Sequence, residues 1–211
     1  KTAYPLCQTA SDPNGVTPQE VLETLSDLTN DDAIICTDVG QHQMWAAQFY
    51  RFRHPRQFIS SGGLGTMGFG LGAALGAQVA NPDARVINIA GDGSFHMNCN
   101  ELATAVAYNI PVVELVFNNS VLGMVRQWQK LFYDNRFSQT DLDKNTDFVK
   151  LAEAFGAKAF VIQTKADIRP VLEQALALRE PVLIDCRIDK DVNVLPMVPA
   201  GASVESPILE M

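Results

Sequence analysis

The stretch GDGSFHMNCNELATAVAYNIPVVELVFNNS, residues 91–120, contains the pattern that decides the fold. It opens with an aspartate between two glycines, continues through a helix-like segment and an apolar run, and closes with two asparagines. Asp, Asn and Gly all favour turns, so ordinary turn chemistry is one explanation of both ends. The other is that Asp92 and Asn119 end two successive strands and reach for one ligand.

Apolar runs and helix-like segments alternate along most of the chain. Strands that are apolar over most of their length and are separated by helices indicate a parallel sheet covered on both faces. We therefore predict an α/β fold, a doubly wound, mainly parallel six-stranded sheet with helices on both faces. The predicted strands are residues 33–37, 57–60, 85–90, 111–117, 158–162 and 181–188, and the predicted helices include residues 41–50, 101–109, 121–131, 146–155 and 168–179.

The chain divides into one large domain with an arm at each end. We interpret residues 1–16 as a linker or leading arm, residues 17–189 as the α/β domain and residues 190–211 as an extended C-terminal arm. Thr17 and Thr164 each begin a capping-box pattern, which predicts a helix start. The last arm is apolar with few charges, so we expect it to pack on something, such as another domain.

Composition narrows the class of partner. The chain has 211 residues and a formal net charge of −8, which argues against non-specific nucleic-acid binding. Charged residues make up only 19%, so we expect part of the surface to face other domains or subunits.

Cys36 and Cys186 sit in apolar runs and are predicted to be buried free thiols in a reducing compartment. No apolar run approaches the length of a membrane span, and no signal or transit peptide is evident. Because the first residue is Lys1, we expect a piece of something longer.

A glycine-rich segment offers a rival interpretation of the site. Residues 63–68 match the pattern G-x-G-x-x-G after a short strand, and Asp92 follows at about the distance of a ribose-binding acid. This would be a dinucleotide-binding domain. The pattern alone is weak, since glycines also allow close packing where a strand crosses to a helix.

A metal site explains more of the opening stretch. Asp92 can supply a carboxylate oxygen and Asn119 an amide oxygen, and Mg²⁺ prefers oxygen ligands together with substrate phosphates. Adjacent parallel strands lie about 4.8 Å apart, so ligands from neighbouring strand ends can meet at one ion. The backbone amides of Gly93 and Ser94, near the following helix start, can donate to phosphate oxygens.

Several motifs resemble one enzyme family. GDG, 24 residues and then NN is similar to the thiamin-diphosphate-binding motif. The segments DVGQHQMWAAQ, SGGLGTMGFGLGAALGAQ, GDGSFHMNCNELATA, NNSVLGMVRQWQ and LPMVPAGAS resemble the catalytic subunit of acetohydroxyacid synthase, also called acetolactate synthase. The resemblance runs from about Val16 through nearly the whole chain and is strongest over residues 38–132.

The resemblance implies a part of a larger enzyme. That family's catalytic subunit has a pyrimidine-binding domain, an FAD-binding domain and a diphosphate-binding domain, and this chain resembles the third. The activating glutamate comes from the first domain, so no catalytic residue is expected here and the isolated chain is predicted to be inactive. The implied cofactors are thiamin diphosphate and Mg²⁺, with FAD in the full-length enzyme but not bound by this domain alone.

The same resemblance implies substrates and partners. The substrates would be small 2-keto acids, pyruvate first, in branched-chain amino-acid biosynthesis. The partners would be the two missing domains, further copies in a homo-oligomer and a regulatory subunit, with no nucleic acid and no membrane. The location would be cytoplasmic in a bacterium and an organelle in a eukaryote. Another thiamin-diphosphate-dependent 2-keto-acid decarboxylase or oxidase remains an alternative.

Individual residues take roles by the same resemblance. Asp92 and Asn119 would ligate Mg²⁺ through their side chains and Val121 through its backbone carbonyl. Met124 and Trp128 would line the substrate entrance. The implied cofactor-binding residues are Gly40, Gln41, His42, Gly65, Met67, Gly91, Gly93, Ser94 and Met124.

Overall fold

One six-stranded sheet organises the molecule. The structure is a computed structural model that describes Leu6, residues 15–142 and residues 146–210; most of the predicted leading arm lies outside these residues. The strand order is β2-β1-β3-β4-β6-β5, and every neighbouring pair is parallel. The predicted fold class is therefore confirmed. The strands are β1 Ile34–Thr37, β2 Phe58–Ser60, β3 Val86–Gly91, β4 Val113–Asn118, β5 Lys158–Ile162 and β6 Val182–Arg187.

Helices connect the strands, and side chains start two of them as predicted. The Thr17 hydroxyl accepts a hydrogen bond from the backbone N–H of Glu20 at 3.2 Å. Thr164 and Asp167 form a full capping box, so the last helix begins three residues before its predicted start. Within the described ranges, no helix is long and apolar enough to cross a membrane. The helices are α1 Pro18–Leu28, α2 Gln41–Phe49, α3 Phe69–Ala80, α4 Asp92–Phe95, α5 Leu102–Ala107, α6 Gly123–Phe132, α7 Phe148–Phe155 and α8 Lys165–Ala177, with a 3₁₀ helix at Cys99–Glu101.

Two apolar cores cover the two faces of the sheet. One contains buried residues of α1, α2 and α8, and the other contains buried residues of α3, α5 and α7. Successive side chains of β4 alternate between them, with Leu115 in the first core and Val116 in the second. Cys36 and Cys186 are buried free thiols, as predicted.

The C-terminal arm pairs with itself through a short bridge. Met197 and Ile208 exchange two backbone hydrogen bonds of 2.9 and 2.7 Å. Val194 is 4% exposed and packs in the first core. The apolar residues of the predicted arm thus find partners in this domain and in the arm itself.

Candidate functional site

The sheet reverses its winding between β1 and β3. The chain passes from β1 to β2 on one side and from β3 to β4 on the other. In such sheets ligands bind beyond the carboxyl ends of the strands at this point. A cavity with an empty volume of about 510 Å³, partly open to solvent, lies there. The predicted site residues that line it are Gly40, Gln41, His42, Met67, Gly91, Asp92, Gly93, Ser94, Asn119, Val121 and Met124.

Two predicted site residues lie outside this cavity. Gly65 adopts a left-handed conformation with φ of 64° in the exposed loop before α3. Trp128 is 52% exposed and lines a neighbouring groove that also includes Met124. Met124 is thus shared by the cavity and the groove.

Asp92 joins the ends of β3 and β4. Its Oδ1 accepts a hydrogen bond from the Gly93 N–H at 2.9 Å, and its Oδ2 accepts one from the Ser120 N–H at 2.8 Å. The side chain is buried, and this burial, with a smaller contribution from the charge of Asp185, raises the pKa of the carboxyl to about 6 despite those bonds. An ionised carboxylate here would be stabilised by a bound cation.

Asn119 lies in the tight turn that follows β4. Its Oδ1 accepts a hydrogen bond from the Val121 N–H at 3.2 Å, and Ser120 between them has φ of 60°. Val121 forms an isolated bridge with Asp141. The predicted helix start at residue 121 is wrong, because this bridge delays α6 until Gly123.

The first turn of α2 faces the cavity from the end of β1. Gly40 is its N-cap residue and makes no side-chain cap, so the first N–H groups are available to an anion. His42 is 4% exposed, its Nε2 has no hydrogen-bond partner among the residues that the structure describes, and burial lowers its pKa to about 3. A Cβ at Gly91 would come within 2.8 Å of the imidazole, so glycine is what leaves room for it.

Gln41 makes contacts that its sequence context does not reveal. Its Nε2 donates to the Oε1 of Gln127 at 2.8 Å and to the carbonyl of Val192 at 3.2 Å. Its Oε1 is buried beside Gly123 and has no hydrogen-bond partner in the described ranges.

Sequence reasoning missed several other residues around the cavity. Asp38 accepts a hydrogen bond from the Gly70 N–H at 3.1 Å and ties the end of β1 to α3, and burial raises its pKa. The apolar lining residues look like ordinary core in the sequence, so periodicity could not mark them as part of a site. They include Trp45, Phe117 and Leu122.

A protein-family model matches most of the chain. Residues 38–186 match the family described as "Thiamine pyrophosphate enzyme, C-terminal TPP binding domain". The chain belongs to this family. The matched region begins directly after β1 and includes β2, β3, β4 and β5 and both predicted metal-binding side chains.

Three similar curated proteins are all named as acetolactate synthases. The chain is 46% identical over 209 residues to the mitochondrial acetolactate synthase catalytic subunit of Saccharomyces cerevisiae, covering 97% of this chain and 30% of that protein. It is 50% identical over 187 residues to a probable acetolactate synthase large subunit of Methanococcus aeolicus, covering 88% and 31%. It is 47% identical over 208 residues to the acetolactate synthase of Mycobacterium bovis, covering 96% and 34%. The chain thus spans about a third of the length of these relatives.

The family match removes the support for the dinucleotide interpretation. The glycine-rich segment follows β2, which is at the edge of the sheet. The observed strand order also differs from the order 3-2-1-4-5-6 of the dinucleotide-binding fold. The Asp92 carboxylate accepts hydrogen bonds from two backbone amides beside the cavity. It lies in the GDG segment of a thiamine pyrophosphate domain.

Proposed function

We propose that this chain is the cofactor-holding part of an acetolactate synthase. The full enzyme would decarboxylate pyruvate and join the two-carbon unit to a second 2-keto acid, in branched-chain amino-acid biosynthesis. The observation that carries the proposal is that Asp92 and Asn119, from adjacent strand ends, line one cavity with the first turn of α2. The relatives' shared name supports the choice of reaction.

The residues present suit Mg²⁺ with a diphosphate. Asp92, Asn119 and Val121 offer a carboxylate, an amide and a backbone carbonyl oxygen, which are the ligand types Mg²⁺ takes. The described residues contain no group of three or more His, Cys, Asp or Glu placed to hold a metal. One carboxylate with neutral oxygens leaves coordination positions for phosphate oxygens, so metal and diphosphate would bind together.

The chain's own residues would hold and orient the cofactor. The first N–H groups of α2 and the amides of Gly93 and Ser94 would meet the diphosphate. Met67 lines the cavity beside them and would contact the pyrimidine side, together with the Gly65 carbonyl. Bound thiamin diphosphate supplies the electron sink for decarboxylation. Trp45 and Phe117 are buried apolar residues of the cavity wall and would keep water away from the bound cofactor.

Other parts of the proposal concern the longer protein. The relatives extend far beyond this chain, and we propose that the activating glutamate and the FAD site belong to domains of that kind. We further propose a homo-oligomer with a regulatory subunit. Its location would be cytoplasmic in a bacterium or an organelle in a eukaryote.

Two experiments test the function. The full-length protein is given pyruvate with thiamin diphosphate, Mg²⁺ and FAD, and the product is identified. Acetolactate supports the proposal, whereas acetaldehyde or an oxidised product favours the decarboxylase or oxidase alternative. The chain alone is assayed in parallel, and acetolactate formation by it would show that the activating group is not elsewhere.

A titration separates the cofactor from its rival. Thiamin diphosphate is added with and without Mg²⁺, and NAD is added separately, while tryptophan fluorescence is recorded. Trp45 lines the cavity and therefore reports on its contents. Metal-dependent quenching by thiamin diphosphate is expected, and metal-independent binding of NAD would overturn the assignment.

A further inference from the structure

Gln127 is a buried polar residue on α6 that the proposed chemistry does not use. It is 1% exposed and pairs with the C-terminal arm in both directions. Its Oε1 accepts a hydrogen bond from the Val194 N–H at 2.9 Å, and its Nε2 donates to the Val194 carbonyl at 2.9 Å. This two-way pairing fixes which end of the Gln127 amide is the acceptor.

The fixed amide of Gln127 in turn fixes that of Gln41. The Gln41 Nε2 donates to the Gln127 Oε1 and to the Val192 carbonyl, which are both acceptors. If the Gln41 amide turned over, its oxygen would face those two acceptors and both bonds would be lost. The arm and Gln127 therefore leave Gln41 with one orientation.

In that orientation Gln41 presents an acceptor to the cavity. Its Oε1 has no hydrogen-bond partner within the part of the chain that the structure describes, although the residue is only 4% exposed, and Gln41 lines the cavity. A Cβ at Gly123 would lie closer than 3.0 Å to this oxygen and 3.0 Å from the Asn119 Nδ2. The oxygen is therefore held beside the predicted metal ligand Asn119, in space that glycine leaves open.

We propose that Gln127 is a positioning residue that holds the Gln41 side chain for the cofactor and so links the C-terminal arm to the site. The inference rests on the proposed function, because it concerns the same cavity. Phosphate oxygens are acceptors, so the atom that meets the Gln41 Oε1 is a donor, such as a water molecule bound with the metal and diphosphate. The contact of Gln41 with the diphosphate itself then falls to its backbone N–H at the start of α2.

The test compares cofactor affinity in four variants of the full-length protein. These are Gln127→Met, Gln41→Met, the double variant and Gln78→Met. Gln78 is a matched control, since it is 2% exposed and its Nε2 donates to three backbone carbonyls just before β3, at the opposite end of the sheet from the site. The dissociation constant of thiamin diphosphate is measured by calorimetry at saturating Mg²⁺, and the melting temperature is measured alongside.

Each single change at the site is expected to raise the dissociation constant about tenfold, the effect of one hydrogen bond. The double variant should bind no more weakly than Gln41→Met, because Gln127 acts through Gln41. Gln78→Met should lower the melting temperature and leave the dissociation constant unchanged. If Gln127→Met is unfolded at the assay temperature, Gln127→Asn keeps an amide but shortens its reach, and the same rise is expected.

Three results would overturn the inference. They are an unchanged constant in Gln127→Met or Gln127→Asn, a double variant whose loss is the product of the two single losses, and an equal loss in Gln78→Met. Failure of the proposed function looks different, because the wild-type protein would then not bind thiamin diphosphate with Mg²⁺ at all.

Discussion

Replacing Asp92 with asparagine separates what this carboxylate does in folding from what it does for the metal. The pKa of Asp92 rises from an ordinary value of 3.8 to about 6, chiefly through burial. The charged form is therefore unfavourable in the folded chain without a cation. The Asp92→Asn substitution removes the charge but keeps only one acceptor for the two amides that the carboxylate now serves.

The size of the effect follows from that shift. The rise in the pKa of Asp92 from 3.8 to about 6 corresponds to about 3 kcal/mol, at about 1.4 kcal/mol per pH unit. The ionised carboxylate therefore lowers the folding stability by about that amount. Because the folded pKa is raised, the wild-type chain has the full benefit of the neutral form below pH 3.8 and loses it as the pH rises through about 6. The stability of Asp92→Asn relative to wild type should therefore increase by about 2 to 3 kcal/mol between pH 4 and pH 7. Leaving the N–H of Gly93 or Ser120 without an acceptor costs about 1–3 kcal/mol at every pH.

Urea unfolding at pH 4, 5, 6 and 7 with a chelator present measures this difference. Other buried acids titrate in both proteins and cancel in the comparison. Mg²⁺ with thiamin diphosphate should then stabilise the wild-type protein, by an amount set by its affinity, and stabilise the variant far less. A stability difference that does not change with pH, or equal stabilisation of both proteins by the ligands, would refute this account of Asp92.

Two further predictions concern the sheet and α3. Gly70→Ala should destabilise the fold by about 1–3 kcal/mol, because its Cβ would lie closer than 3.0 Å to the Asn88 side chain and the Asp38 backbone. The Cβ of Gly76→Ala would meet no described residue within 4 Å, so this change should stabilise the fold by about 1 kcal/mol. Chemical unfolding measures both, and equal effects would contradict the packing argument. Burial raises the pKa of Glu114 well above its usual range although Asn88 donates to both its oxygens at 2.9 Å. Ionisation of Glu114 should therefore lower the stability of the wild-type chain as the pH rises above 4.5. Glu114→Gln should remove this contribution, so the variant should become more stable relative to wild type between pH 5 and pH 8. Parallel pH profiles of stability for the two proteins would disprove this prediction.

The sheet could be predicted from local patterns because each strand carries its own signal. All six strands were expected within about two residues of their observed bounds, since buried parallel strands are continuous apolar runs. Pairing between distant segments could not be predicted in this way. The strand β6 lies between β4 and β5, with Val113 beside Val182, and no local pattern specifies that order.

The site residues also divide into those with a local sequence signal and those placed by contacts between distant segments. The ends of β3 and β4 could be recognised because Asp92 and Asn119 carry the chemistry in a short motif. The partner of Gln41 could not, because Gln127 lies 86 residues away and looks like any polar residue of a helix. The start of α6 was missed for a similar reason, since the Val121–Asp141 bridge is a tertiary contact.

The most direct test of the metal–diphosphate site is a crystal of the full-length protein grown with thiamin diphosphate and Mn²⁺ in place of Mg²⁺. Anomalous scattering locates the ion without reference to the protein. The proposal predicts one strong peak bonded to side-chain oxygens of Asp92 and Asn119, with the diphosphate at the first turn of α2. A peak elsewhere, or a diphosphate on residues 63–68, would contradict it.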